Sequence, residues 1–182
     1  GGGLTYNLGA HVIDQAVQLF GMPEAVFADI ATLRTGGKVD DYFIIHLMKP
    51  ARMPEVKITL KASYLMCENE PRFVLHGTEG SYVKYGLDPQ EADLTKGMLP
   101  DTPHWGEEDE SQWGILHTET DGNVVRKPYP TLPGNYAAFY ENIYQHIRNG
   151  AVLQSDACGV LGVIRLIEAA WESSRTGNVI KL

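Results

Sequence analysis

Basic residues are in short supply. Fifteen lysines and arginines stand against 23 aspartates and glutamates, a formal charge of -8 at pH 7. A chain with so little positive charge has no basic face for a nucleic-acid backbone. Cysteine is scarcer still: only Cys67 and Cys158 occur. Two thiols cannot build a disulfide scaffold; they suit a reducing compartment and need not pair. No apolar run reaches the ~20 residues that span a bilayer, and no secretory leader is visible. A cytoplasmic location with no membrane partner is therefore expected. The six histidines (His11, His46, His76, His104, His117 and His146) lack ligand spacing, so no metal is expected. No Gly-x-Ser-x-Gly elbow occurs, which excludes the common serine-hydrolase arrangement. A dinucleotide fingerprint is missing too. Gly1-Gly2-Gly3 has no strand before it, and Gly77-Thr78-Glu79-Gly80 has the wrong spacing.

What is present suits a globular protein. The chain has 182 residues, 43% of them hydrophobic, enough for one domain over 1–182 with a real core. The start at Gly1, without methionine, is compatible with a fragment whose first residue is a tag remnant. Asn7 to Phe20 reads as an amphipathic helix with a stripe of Leu4, Leu8, Val12, Ala16 and Leu19, stopped by Gly21 and Pro23. Strand patterns follow over Val26 to Leu33, Tyr42 to Met48 and Val56 to Met66. Hairpins are expected about Gly77 and Gly80, and about Asp121-Gly122. Asp88 to Lys96 reads as a short helix with Pro89 at its first position.

The acidic run Glu107, Glu108, Asp109 and Glu110 reads as a solvated loop. Two helices close the chain. Tyr136, Phe139, Tyr140, Ile143 and Ile147 mark the first, ended by Asn149-Gly150. Val160, Val163, Ile164, Ile167 and Trp171 mark the second, capped by Ser155 or Asp156 and ended by Gly177. Gly159 and Gly162 inside it cost about 1 kcal/mol each relative to alanine, which predicts close packing against a neighbour. Val179 to Leu182 can add a last strand. The aromatics Tyr136, Phe139, Tyr140 and Tyr144 are expected in the core. Trp105 and Trp113 either line a sugar pocket or pack on the sheet.

These elements predict an α+β fold, a mostly antiparallel open β-sheet with helices packed on one face. The strand from Tyr42 to Met48 is apolar on both sides, so the other face of the sheet is expected to be covered, most simply by a second copy of the chain.

The most informative stretch is Gly1 to Gln15. Residues three and four apart on a helix are neighbours, so Asn7, His11 and Asp14 share one edge. An imidazole beside a carboxylate can be a held proton acceptor. It can equally be a hydrogen-bonded histidine in a helix–sheet contact, and Asp14 can equally be a surface carboxylate. Read from these residues alone, the structural role of His11 has the stronger claim.

The stretch resembles the glucose–fructose oxidoreductase and inositol dehydrogenase family, written Gfo/Idh/MocA. There a glycine-rich entry leads into Asp-x-x-x-His-x-x-Asp at the start of the C-terminal domain. Here the match is Asn7, His11 and Asp14, followed by Leu19-Phe20-Gly21. Similarity continues through Val74-Leu75-His76-Gly77-Thr78-Glu79-Gly80-Ser81, Leu87-Asp88-Pro89-Gln90-Glu91, Pro133-Gly134-Asn135-Tyr136 and Glu172-Ser173-Ser174-Arg175-Thr176-Gly177. It covers nearly the whole chain. The resemblance implies a GAPDH-like C-terminal domain, paired through its open sheet face into a homodimer or higher oligomer. It also implies an N-terminal Rossmann domain, outside this chain, that binds NAD or NADP and carries a catalytic lysine in Glu-Lys-Pro. No Glu-Lys-Pro occurs here.

The implied activity is hydride transfer to or from a sugar, cyclitol or related polyol. His11 would be the acid/base beside the nicotinamide, and Asn7 and Asp14 would bind substrate. This chain alone would be inactive. Asn7 departs from the family's usual aspartate. An amide cannot ionise, but it can donate and accept hydrogen bonds with a hydroxyl. That departure supports a second expectation: a non-catalytic ligand-binding or assembly domain that retains the fold.

Overall fold

A computed structural model describes residues 2–182, with Thr120 described in its backbone only; the tag reading of Gly1 lies outside the described residues. The chain forms two compact units, one from residues up to 67 together with 155–182, the other from 68–154.

The first unit opens with a π-helical turn, Thr5–Gly9, that runs directly into α1 (Ala10–Phe20). Gly21 ends the helix at φ 82°, a conformation that costs glycine little. A π turn takes one more residue than an α turn, and this shifts the buried stripe. Leu4, Ile13 and Ala16 are buried, while Leu8 (42%) and Leu19 (56%), expected on the inner side, face solvent.

Strands β1 (Pro23–Ala31), β2 (Tyr42–Pro50) and β3 (Ile58–Ser63) follow. With the C-terminal β8 (Ile180–Lys181) they make an antiparallel sheet in the order β3-β2-β1-β8. Ala28 stands opposite Ile45, and Ile45 opposite Leu60. Alternation puts Val26, Ala28 and Ile30 with Phe43, Ile45 and Leu47 on one face. There they join Leu4, Ile13, Leu166 and Ile167 in one core. The other face of β2 is half-buried at Tyr42, Ile44, His46 and Met48, and Phe27 stacks on His46 with ring centroids 6.3 Å apart.

The covering helix α4 (Ala157–Thr176) is capped by Asp156, which accepts the Gly159 amide at 2.8 Å, and ends at Gly177 with φ 69°. Its buried stripe is Val163, Leu166, Ile167 and Ala170; the expected Val160 and Ile164 are exposed. A Cβ on Gly162 would stand 3.2 Å from Met22 Sδ, a close approach, whereas Gly159 meets only its own cap. Packing therefore accounts for one of the two glycines.

The helix also completes the sheet. Beyond Val26, β1 has no partner strand on its β8 side among the described residues. Ser173 Oγ accepts the Ala28 amide at 3.0 Å and donates to the Asn178 carbonyl at 2.6 Å, and Ser174 Oγ accepts the Ile30 amide at 2.9 Å. The Glu-Ser-Ser-Arg-Thr-Gly motif is thus a sheet-edge clasp followed by a helix stop.

The second unit holds an antiparallel sheet, β4 (Phe73–His76), β5 (Gly80–Lys84), β6 (Gly114–Thr120) and β7 (Asn123–Tyr129), paired in that order. Asp121 and Gly122, at φ 53° and 75°, close the β6–β7 hairpin, the turn that Asp-Gly favours. The single open sheet expected from the sequence is therefore two four-stranded antiparallel sheets. Residues 64–72, which include Pro71, separate β3 from β4 without a ladder between them.

Two motifs distant in sequence meet in this unit. Gln90, fully buried at the start of α2 (Gln90–Thr95), accepts the Trp105 indole N–H and the Tyr136 amide at 2.8 Å each, and donates to Asp88 at 3.0 Å. A Cβ on Gly134 would overlap the Asp88 and Gln90 side chains. Trp105 is thus a structural tie. Of the acidic run, Glu108 is not solvated: its carboxylate grips Lys84 Nζ at 2.8 Å, with 4% and 11% of the two side chains exposed. Helix α3 (Ala137–Asn149) buries none of its residues, so Phe139, Tyr140 and Tyr144, expected in the core, are exposed. Both cysteines are free thiols.

Candidate active site on the first helix

The head of the first helix is fixed by one acid, Asp40. The Asp40 carbonyl accepts the Leu4 amide at 3.0 Å, and Asp40 Oδ2 accepts the Thr5 amide at 2.6 Å. Those amides would otherwise be unsatisfied donors of a helix N-terminus. Gly3, at φ 103°, lies so close that a Cβ would overlap the Asp40 carboxylate. Of Gly2 and Gly3, Gly3 is the one this approach requires.

Asn7 sits within the π turn and His11 just past it, both exposed, and Asp14 is exposed one turn on. His11 and Asp14 make no hydrogen bond or ion pair with each other, nor with any other group among the described residues. An unpaired, solvent-facing imidazole can accept a proton from a ligand hydroxyl.

Asn7's neighbour, 57 residues away, leaves no mark in the local pattern. Its Nδ2 stands 3.5 Å from Tyr64 Oη, at the long limit for donation to the phenol. The Arg34 guanidinium lies 5.7 Å from the centre of the Tyr64 ring, within cation–π range. Arg34 Nε in turn donates to Asp41 Oδ2 at 2.8 Å. Asp41, completely buried, also accepts the amides of Leu33 (2.7 Å) and Arg34 (3.1 Å), and its carbonyl accepts the Tyr64 amide at 3.0 Å. The Leu33 amide, more than Arg34, holds the Asp41 carboxyl below the usual aspartate range against the opposing pull of burial. The only trace in the sequence is a pair of acids directly ahead of an apolar strand, where charge is out of place unless paired.

Among the described residues no group of three or more His, Cys, Asp or Glu could hold a metal ion, and no helix is long and apolar enough to cross a membrane. A concavity of about 530 Å³ lies on the second unit's sheet, between Val83, Leu87, Trp113, Ile115, His117 and Arg126. None of the residues singled out on the first helix lines it.

The first unit is thus a sheet backed by two helices, with an amide, an imidazole and a carboxylate exposed on one of them. Residues 1–182 match the family described as "Oxidoreductase family, C-terminal alpha/beta domain", and the chain belongs to this Gfo/Idh/MocA family. It is 36% identical over 180 residues to the scyllo-inositol 2-dehydrogenase (NADP(+)) IolW of Bacillus subtilis, covering 99% of this chain and 49% of that protein. It is 35% identical over 175 residues to the oxidoreductase YdgJ of Escherichia coli, covering 96% of this chain and 49% of that one. A crystal structure of an oxidoreductase from Bacteroides fragilis superposes with a TM-score of 0.94 at 62% identity, over all of this chain and 54% of that one. The chain spans about half the length of the curated relatives it matches.

Proposed function

We propose that this chain is the substrate-side half of an NAD(P)-dependent oxidoreductase acting on a sugar, cyclitol or related polyol. The observation that carries the reading is the unpartnered His11 imidazole beside Asn7 on an exposed helix head, in a chain of this family. IolW, one of its relatives, is a scyllo-inositol 2-dehydrogenase.

Among the described residues no strand–glycine loop–helix unit offers a dinucleotide cradle, so a preceding Rossmann domain would hold the cofactor. A bound nicotinamide supplies the acceptor for the carbinol hydrogen, taken with its electron pair. His11 takes the proton of the substrate hydroxyl as the carbonyl forms, and returns it in the reverse direction. Asn7 holds a hydroxyl by donating and accepting, and Asp14 accepts from another. Pairing of two copies through the half-buried face at Ile44, His46 and Met48 completes the reading.

The test is turnover by the full-length protein on a panel of polyols with NAD or NADP. His11→Ala should lower the rate by roughly 10²-fold or more. No turnover on any polyol, or an unchanged rate in the variant, overturns the reading. Polyol binding without turnover would favour the ligand-binding alternative that the Asn7 amide suggests.

A further inference from the structure

Arg34 is held on one side and open on the other. Its Nε is fixed by the buried Asp41, half of its side chain (49%) stays exposed, and its two terminal nitrogens have no partner among the described residues. Its direction is set by more than that one bond. Asp41 binds the backbone of Leu33 and Arg34 as well as the side chain, so the root and the head of Arg34 are anchored to the same carboxylate. Asp41 also accepts the Tyr64 amide. One buried residue therefore places both the guanidinium and the aromatic ring beneath it. The far end of that ring reaches Asn7.

A guanidinium has donors and no acceptor, and the edge formed by its terminal nitrogens matches two neighbouring oxygens. Its charge is partly answered by Asp41, yet the donors on the open edge remain unused. A surface arginine serving only the fold would have no reason to be stiffened at three points while its fork stays free.

We propose that Arg34 is a substrate-binding residue of this site, its open edge donating to two adjacent oxygens of the substrate, and that Asp41 is its positioning residue. The proposal rests on the polyol oxidoreductase reading. Two adjacent oxygens can come from a vicinal diol of a neutral polyol or from the carboxylate of a sugar acid, and the assay separates them.

The experiment uses the full-length protein with scyllo-inositol, glucose and glucuronate as probes. Arg34→Gln should raise KM for the preferred probe about tenfold or more, the scale of a lost hydrogen bond to a charged group, while kcat moves much less. Arg34→Lys, which keeps the charge and loses the fork, should not restore KM. Asp41→Asn should raise KM in the same direction, and the double variant should add little, because both act through one guanidinium.

Preference for glucuronate, lost in Arg34→Gln, assigns the carboxylate; preference for a neutral probe with the same KM effect assigns the diol. KM unchanged in both Arg34 variants, with the wild type active, overturns the proposal and leaves the polyol reading standing. A wild type inactive on all three probes and on the wider polyol panel overturns that reading and this proposal with it. Arg34 is half-exposed, so its variants should fold. A KM rise in Asp41→Asn alone would assign Asp41 a purely structural role and sink the proposal.

Discussion

Thr5 and Asp40 meet at the head of the first helix, where the Thr5 amide donates to Asp40 Oδ2 at 2.6 Å across 35 residues of sequence. The contact forms because Gly3, at φ 103°, lets the chain pass where any side chain would overlap that carboxylate. Gly3→Ala should therefore lower the unfolding free energy by about 1–3 kcal/mol. Gly2→Ala, whose methyl would meet only Val39 Cγ1 at 3.7 Å, should stay within about 0.5 kcal/mol of wild type. Urea unfolding of the two variants checks this, and equal losses would count against it.

Asp41 ties acid stability to the site. Its folded pKa lies below the ordinary 3.8, chiefly through the Leu33 amide and then through Arg34. A depressed carboxyl stabilises the fold while ionised. Its contribution is complete above the unfolded pKa and is lost as pH falls through the folded one. Wild type should therefore lose its advantage over Asp41→Asn below about pH 4. Stability curves that run parallel from neutral pH into acid would refute the assignment.

Ser173 is fully buried and serves two backbone groups, while Ser174 is less enclosed. Ser173→Ala strands the Ala28 amide and the Asn178 carbonyl and should cost about 1–3 kcal/mol. Ser174→Ala should cost less, because Ser174 is only half-buried and its bond to the Ile30 amide is partly open to solvent. The order of the two unfolding midpoints is the test.

Gln90 offers its oxygen to two N–H donors and its amide to Asp88. Gln90→Glu would set a second carboxylate against Asp88, and Gln90→Leu would leave the Trp105 indole unpaired. Each should destabilise the second unit by about 1–3 kcal/mol and alter tryptophan fluorescence. An unmoved emission spectrum in both variants would show that Trp105 is placed by something else.

Much of this fold could be read from the sequence, because local rules decided it. Asp121-Gly122 forms its hairpin, Asp156 caps its helix and Gly150 and Gly177 end theirs. What the sequence hid was set by distance or by a change of period. A 3.6-residue repeat cannot foresee a π turn, so it places Leu8 and Leu19 inward, where the structure exposes them. The alternation of β3 and β4 says nothing about whether they pair. Glu108 looks like its acidic neighbours until Lys84 is brought to it. At the site, Asn7, His11 and Asp14 are visible as a spacing. Tyr64, Arg34 and the Asp40–Asp41 pair are not, since side-chain contacts between separate segments assemble them.

The hydroxyls of Ser173 and Ser174 give β1 a neighbour that is not a strand. Sheets with bare edges recruit strands from other molecules. Here the Ala28 and Ile30 amides, the groups such a strand would bind, are already taken by a helix that cannot itself be extended by another strand. Growth of the sheet by edge-to-edge addition is closed off along that stretch of β1.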